Sequence, residues 1–134
     1  MSNTPIPTAI KLRTQSRLLE VSFDDGRQFA FSFEFLRVYS PSAEVKGHGP
    51  GQETLQTGKR EVLITALEPV GHYAIQPVFS DGHNSGIYSW GYLYRLGVDQ
   101  EKLWREYGDK LEAAGFTGES GRDAPMQAAK GGRG

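Results

Sequence analysis

The chain has 134 residues, with 15 basic and 16 acidic side chains and no cysteine. This length suits one domain, and the nearly balanced charge argues against nucleic acid as the main partner, because phosphate binding needs a clustered basic surface. The lack of cysteine excludes disulfides, thiolate metal sites and cysteine nucleophiles.

No apolar run approaches the roughly 20 residues that span a bilayer. The N-terminus also lacks the basic segment and apolar core of a secretory signal. The sequence therefore predicts a soluble cytoplasmic protein that associates with neither membranes nor nucleic acid. We expect a protein partner, and the sequence leaves the oligomeric state open.

The first part of the chain predicts three strands and a short helix. Apolar and polar residues alternate over 8–12, 17–23 and 28–32, which is typical of half-buried strands. The tight turn at 24–26 indicates that the second and third strands are antiparallel. Ser32 is placed to cap one or two helical turns.

The middle of the chain predicts a second group of strands. Residues 62–67 are apolar on both faces, which favours a central strand that ends at the proline and glycine of 68–71. A strand over 73–79, a turn at Asp81-Gly82 and a short strand at 85–88 follow.

Two helices are expected after these strands. Ser89 should cap a helix over 90–96 that Gly97 ends, and Asp99 should cap a second helix, with Gly115 just beyond its end. The second helix carries an apolar stripe that repeats every fourth residue, formed by Leu103, Tyr107 and Leu111. Together these elements predict an α+β fold, a mainly antiparallel sheet of about five strands with helices against it.

Three segments lack any such pattern. Residues 1–7 are expected to be loose, 40–61 to form a long loop, and 117–134 to be disordered, because the tail has no aromatic residue to bury. The expected domain therefore spans 8–116.

A faint internal repeat joins the two halves. Phe23-Asp24-Asp25-Gly26 and Phe79-Ser80-Asp81-Gly82 each follow a strand and precede a short strand and an aromatic helical turn. Either two similar units share one core, or two hairpins use the same kind of turn independently.

Two motifs resemble a known family. The first combines Leu36–Val45 with Gly47–Pro50, and the second combines Glu68–Ala74 with Phe79–Tyr88. Together they resemble DUF971, a family of small bacterial domains related to the N-terminal domain of γ-butyrobetaine hydroxylase. The resemblance covers roughly residues 8–97 and implies the α+β fold of that domain.

The resemblance also bears on function. A similar module is appended to some P-loop ATPases that carry iron–sulfur clusters. This implies a non-catalytic binding or accessory module in iron–sulfur or metal handling. The oxygenase activity is not implied, because the catalytic iron of the hydroxylase lies in its other domain.

The hydroxylase domain holds a structural zinc through three cysteines and one histidine. By the resemblance, these ligands correspond to Ser40, Ser42, Val45 and His83. Serine is a poor zinc ligand beside a thiolate and valine cannot ligate, so we expect the zinc site to be lost in that form.

The residues themselves suggest a different metal site. His83, Asp81 and His48 could together hold a labile iron or zinc ion, since imidazole and carboxylate suit both metals. A small metal-dependent enzyme using this region is the alternative function. The plainer alternative is that His83 hydrogen-bonds the backbone beside its hairpin.

Asp81, His83 and Ser85 contain the residue types of a catalytic triad, but their spacing disfavours that arrangement.

A surface for a protein partner is also expected. Arg37 should pair with either Glu44 or Asp81, and aromatic residues are enriched at binding hot spots. The proposed surface consists of Arg37, Ser40, Ser42, Glu44, Tyr88 and Trp90.

Overall fold

A computed structural model describes residues 4–46 and 55–116. Its strands and helices follow the chain in the order β1 (Pro7–Arg13), β2 (Leu18–Phe23), β3 (Gln28–Ser32), α1 (Phe33–Val38), α2 (Ala43–Lys46), β4 (Ile64–Val70), β5 (Ala74–Phe79), β6 (Tyr88–Ser89), α3 (Trp90–Val98) and α4 (Gln100–Ala113). The tail 117–134, expected to be disordered, lies outside the described residues.

Within the described residues, the strands form two antiparallel sheets of three strands each, in the orders β1-β2-β3 and β4-β5-β6. This confirms the α+β class, but the prediction of one sheet of about five strands was wrong. The last strand of each sheet leads into a helix that is capped by a serine. The Ser32 and Ser89 hydroxyls accept the backbone N–H groups of Phe35 and Tyr92, respectively. These caps satisfy donors that an α-helix leaves free at its start.

The prediction of a central strand at 62–67 was also wrong. β4 lies at the edge of its sheet and continues through Pro69 to Val70. An edge strand can hold a proline, because one side of its backbone has no neighbour to receive an N–H bond. β5 is the central strand, and β6 pairs with its residues Ala74 and Ile75.

Gly97 does not end α3, as the sequence suggested, but lies inside it. A Cβ atom at Gly97 would come within 2.4 Å of the Phe29 ring, so the missing side chain lets β3 and α3 pack closely. Gly115 does follow the end of α4 as predicted, with φ of +100°, a conformation that glycine adopts without strain.

The last helix packs against the first. Tyr107 and Leu111 are buried against Val38 of α1, and the Tyr107 hydroxyl donates to Glu34 at 3.2 Å. Asp99 precedes α4 but makes no side-chain cap, since α3 runs almost directly into α4. Among the described residues, no helix combines the length and apolar character needed to cross a membrane.

Candidate functional site

Asp81 is the centre of a polar network whose two cations, Arg37 and Lys59, are buried. It lies on the turn after β5, where Gly82 has φ of +90°, which favours glycine. Its Oδ2 accepts hydrogen bonds from Arg37 Nε at 2.9 Å and Lys59 Nζ at 2.8 Å. Its Oδ1 accepts the backbone N–H of His83 at 3.2 Å. Arg37 was predicted to pair with Glu44 or Asp81, and it pairs with Asp81.

This ion-pair cluster is largely shielded from solvent. The side chains of Arg37, Lys59 and Asp81 are 7%, 2% and 19% exposed. Burial alone would raise the pKa of Asp81, but the hydrogen bond from Lys59 and the charge of Arg37 outweigh it and lower that pKa. Burial lowers the pKa of Lys59, and its hydrogen bond to Asp81 opposes that change. The cations therefore hold Asp81 as a carboxylate.

Arg37 is fixed on both sides. Besides bonding Asp81, its Nη1 donates to Gln56 Oε1 at 3.0 Å. Helix α1 presents Arg37 from its last turn, and the irregular segment before β4 supplies Gln56 and Lys59. The guanidinium therefore joins that segment to α1 and to the turn after β5.

His83 binds the segment that follows α1. Its Nε2 lies 2.8 Å from Ser40 Oγ, and this oxygen also accepts the backbone N–H of Ser42 at 3.2 Å. Ser40 has no exposed surface and His83 is 5% exposed. A Cβ atom at Gly86 would lie 2.3 Å from Ser40 Oγ, so glycine at this position allows the serine to reach the histidine.

A second serine pair runs beside the first. Ser42 Oγ and Ser85 Oγ are 2.7 Å apart, and the Tyr88 hydroxyl donates to the Leu36 carbonyl. His83 thus contacts Ser40, and Ser85 contacts Ser42. The contacts join the segment after α1 to the segment after β5.

The positions matched to the hydroxylase zinc ligands do not fit zinc. Ser40 and His83 are indeed adjacent, but they bond each other, and Ser42 bonds Ser85. The fourth position, Val45, is a buried apolar residue. The donor set therefore provides one imidazole and no thiolate.

The labile metal site predicted from His83, Asp81 and His48 stays a prediction, because His48 lies outside the described residues. Within 4–46 and 55–116, no group of three histidine, aspartate or glutamate residues is placed to hold a metal. A cation at Asp81 would meet Arg37 and Lys59, both already bonded to its carboxylate. Like-charge repulsion weakens metal binding at that carboxylate.

Most of the surface predicted for a partner lies inside the domain. The exposed fractions of Arg37, Ser40, Ser42 and Tyr88 are 6%, 0%, 7% and 0%. They are buried because each contacts the turn after β5 or the core. Trp90 is half-buried, and the Glu44 side chain lies outside the described part of the structure. A role for this set in binding a partner stays a prediction.

Sequence reasoning missed Lys59 and Gln56. Both lie in the irregular segment before β4, where no periodicity marks a buried residue. The available signal was electrostatic, since a lysine in this segment could have been considered as a second partner for Asp81.

An exposed apolar hollow lies at another part of the surface. Its volume is about 470 Å³, and its lining includes Ile6, His72 and Trp90. Trp90 is held there by donating from Nε1 to the His72 carbonyl at 2.8 Å. Ile6 and nearby Tyr73 are 55% and 58% exposed. Tyr73 belongs to the same region, because its ring lies over Gly71, another lining residue.

The chain matches one protein family and is similar to solved structures. The family described as "Gamma-butyrobetaine hydroxylase-like, N-terminal" matches residues 10–94. Two NMR solution structures are similar. One is 54% identical with a TM-score of 0.73 and 85% of each chain covered. The other is 40% identical with a TM-score of 0.76, covering 92% of this chain and 94% of that chain.

A crystal structure from Acidithiobacillus ferrooxidans ATCC 23270 is also similar. It is described as a protein with unknown function in the DUF971 family and is 43% identical, with a TM-score of 0.56. The match covers 68% of this chain and 91% of that chain. A search of curated proteins finds no match.

Proposed function

The chain belongs to the γ-butyrobetaine hydroxylase-like N-terminal (DUF971) family, and we propose that it acts as a non-catalytic module that binds a protein partner. The observation that carries this proposal is the apolar hollow, with Ile6 and Tyr73 more than half exposed beside Trp90. Large apolar side chains gathered at one exposed place mark interaction surfaces. Tyrosine and tryptophan are also enriched among the residues that dominate binding energy.

The polar network supports a structural role for the residues that most resemble catalytic ones. Ser40 is fully buried and bonded to His83, so neither presents a reactive atom to solvent. Asp81 is bonded to two cations and a backbone N–H. A general base must reach the proton that it removes, and these contacts prevent that. The metal-dependent enzyme considered above gains no support from this geometry.

The partner that fits the hollow is a protein that offers an apolar side chain to it. Ile6, Tyr73 and Trp90 supply the apolar contact. The finer proposals are that the partner works in iron–sulfur or metal handling and that the protein is cytoplasmic. The first rests on the resemblance to modules of iron–sulfur ATPases, and the second remains the expectation stated from the sequence.

The test uses variants that change the hollow and leave the core intact. Partners captured by the wild-type protein from native cells are purified, and their affinity is measured by calorimetry for wild type and for the double variant Ile6→Ser, Tyr73→Ser. Val98→Ser is the matched control, because Val98 is an exposed apolar residue, at 51%, on helix α3.

We expect the double variant to bind at least about tenfold more weakly, which corresponds to roughly 1.4 kcal/mol. The control should bind as wild type does. Equal affinity of all three proteins for every captured partner would contradict the proposal.

A further inference from the structure

The domain contains the same structural unit twice. Unit 1 runs from β1 to α1 and unit 2 from β4 to α3, and each consists of three antiparallel strands followed by a capped helix. The caps match in detail. Ser32 has φ −69° and ψ 153°, and Ser89 has φ −69° and ψ 162°. Their hydroxyls accept backbone N–H groups at 3.0 and 3.1 Å.

The turns of the two units match as well. Gly26 and Gly82 have φ of +91° and +90°. One residue earlier, Asp25 and Asp81 each accept the backbone N–H two positions further on, at 3.0 and 3.2 Å. The two turns thus share both the glycine conformation and the aspartate contact.

The first strands repeat each other too. β1 and β4 both contain a register shift near their start. A threonine lies at each shift. Thr8 donates to the Ser22 carbonyl and Thr65 donates to the Val78 carbonyl, both at 3.3 Å. The structure thus supports two similar units over two unrelated hairpins, the choice that the sequence left open.

The two units brace each other reciprocally. Arg37, the fifth residue of α1 in unit 1, bonds Asp81 on the turn of unit 2 at 2.9 Å. Tyr94, the fifth residue of α3 in unit 2, bonds Asp25 on the turn of unit 1 at 2.6 Å. Contacts that run both ways between equivalent positions are the mark of a two-fold symmetric interface between identical subunits.

The two units share one buried cluster. The main buried cluster draws equally on both, with Leu19, Val21, Phe23, Phe31, Phe33, Phe35 and Leu36 from the first half of the chain and Val62, Ile64, Ile75, Phe79, Tyr88, Leu93 and Leu96 from the second. A hydrophobic core shared between two halves resembles the interface of an obligate dimer. Each unit therefore has a large apolar face that another copy of the opposite unit would fit.

We propose that the surface between the units is an exchangeable interface, and that the partner it fits is a second copy of this chain. In the exchanged dimer, unit 1 of each chain packs on unit 2 of the other. Both copies of the core and both braces are then re-formed. Exchange of an identical element is a low-cost route to a dimer because it requires no new contact.

The test uses complementary defects in two full-length chains. Arg37→Asp and Asp81→Arg each place like charges together at the brace within their own chain. In an exchanged dimer of one chain of each kind, one interface holds the native Arg37–Asp81 pair and the other holds its reversed form. Equimolar mixtures are unfolded in denaturant, refolded together, and weighed by native mass spectrometry.

We expect a species with twice the chain mass that contains one copy of each variant, formed only in the mixture. A mixture that yields the same species as the two variants refolded separately would overturn the proposal. A second measurement does not depend on those variants. Labelled and unlabelled wild-type chains, refolded together at high concentration, should give a dimer containing one chain of each kind. A wild-type protein that stays monomeric after this treatment would also overturn it.

Discussion

Replacing Asp81 with asparagine tests the role of the polar network. The change keeps the size of the side chain and removes its charge. Arg37 and Lys59, whose side chains are 7% and 2% exposed, then lose the anion that they share. Removing one partner of a buried ion pair costs about 3–5 kcal/mol, because the other charge stays buried without compensation. Since the Asp81 side chain retains 19% exposure, we expect a loss near the lower end, about 3 kcal/mol.

This loss is large enough to measure directly. For a domain of roughly 100 residues, a change of 1 kcal/mol moves Tm by about 4 °C, so we expect Asp81→Asn to lower Tm by about 12 °C. Thermal and urea unfolding followed by circular dichroism would measure it. Asp25→Asn is the matched control, because Asp25 occupies the equivalent turn but bonds the Tyr94 hydroxyl in a solvent-exposed place. Solvent screening should make its effect much smaller.

The reasoning would be refuted if both asparagine variants unfolded at the wild-type temperature. The pH dependence adds a second test of the same group. Because the folded-state pKa of Asp81 is lowered, its charge contributes stability that is fully present above the unfolded value of about 3.9. That contribution is lost as the pH falls through the folded-state pKa. Wild type should therefore lose more stability below about pH 4 than Asp81→Asn does.

Three further outcomes follow from the packing. Gly86→Ala should lose about 1–3 kcal/mol in urea unfolding, because its Cβ would displace Ser40 Oγ, 2.3 Å away; wild-type stability would mean that Ser40 moves freely. Gly108→Ala should gain about 1 kcal/mol in the same assay, since nothing lies within 4 Å of the new Cβ; a loss would contradict the open space beside this position. Burial raises the pKa of Tyr39 and Tyr92 to about 12, so both should remain protonated in a phenolate absorbance titration at about pH 11. Their contribution to stability is present below the unfolded value near pH 10 and lost as the pH rises through 12, and ionisation of both near pH 10 would contradict their burial.

The features that could be predicted from the sequence depend on local chemistry. Ser32 and Ser89 cap helices as expected, and the glycines of both turns have positive φ. Each outcome depends on a few neighbouring residues, so a short stretch of sequence contains the necessary information.

The features that could not be predicted depend on residues distant in sequence. Gly97 was expected to end a helix, but its role is set by the Phe29 ring that packs against it. The strand predicted over 62–67 was expected in the centre of a sheet, yet its apolar residues on both faces do not reveal which strands lie beside it. Lys59 contacts the Asp81 carboxylate on the turn after β5, and no local sequence pattern marks that contact.

The candidate site was predicted in part. His83, Asp81 and Arg37 were singled out, and the structure brings all three to the same turn. The exposed fractions of these side chains could not be predicted, because burial depends on how the segments after α1 and β5 cover one another. The surface expected there is largely interior, and the exposed apolar residues Ile6 and Tyr73 were not identified.

A metal titration followed by NMR of the histidine rings tests most directly whether the polar network is a closed internal structure. Zn²⁺ and Fe²⁺ are added to metal-free protein while the ring signals of His83 and His72 are compared. His72 is exposed, whereas His83 is 5% exposed and bonded to Ser40. The account predicts that the His72 signals respond at least as strongly as those of His83. A selective response of His83 to one equivalent of metal would contradict it and favour the metal site formed with Asp81 and His48.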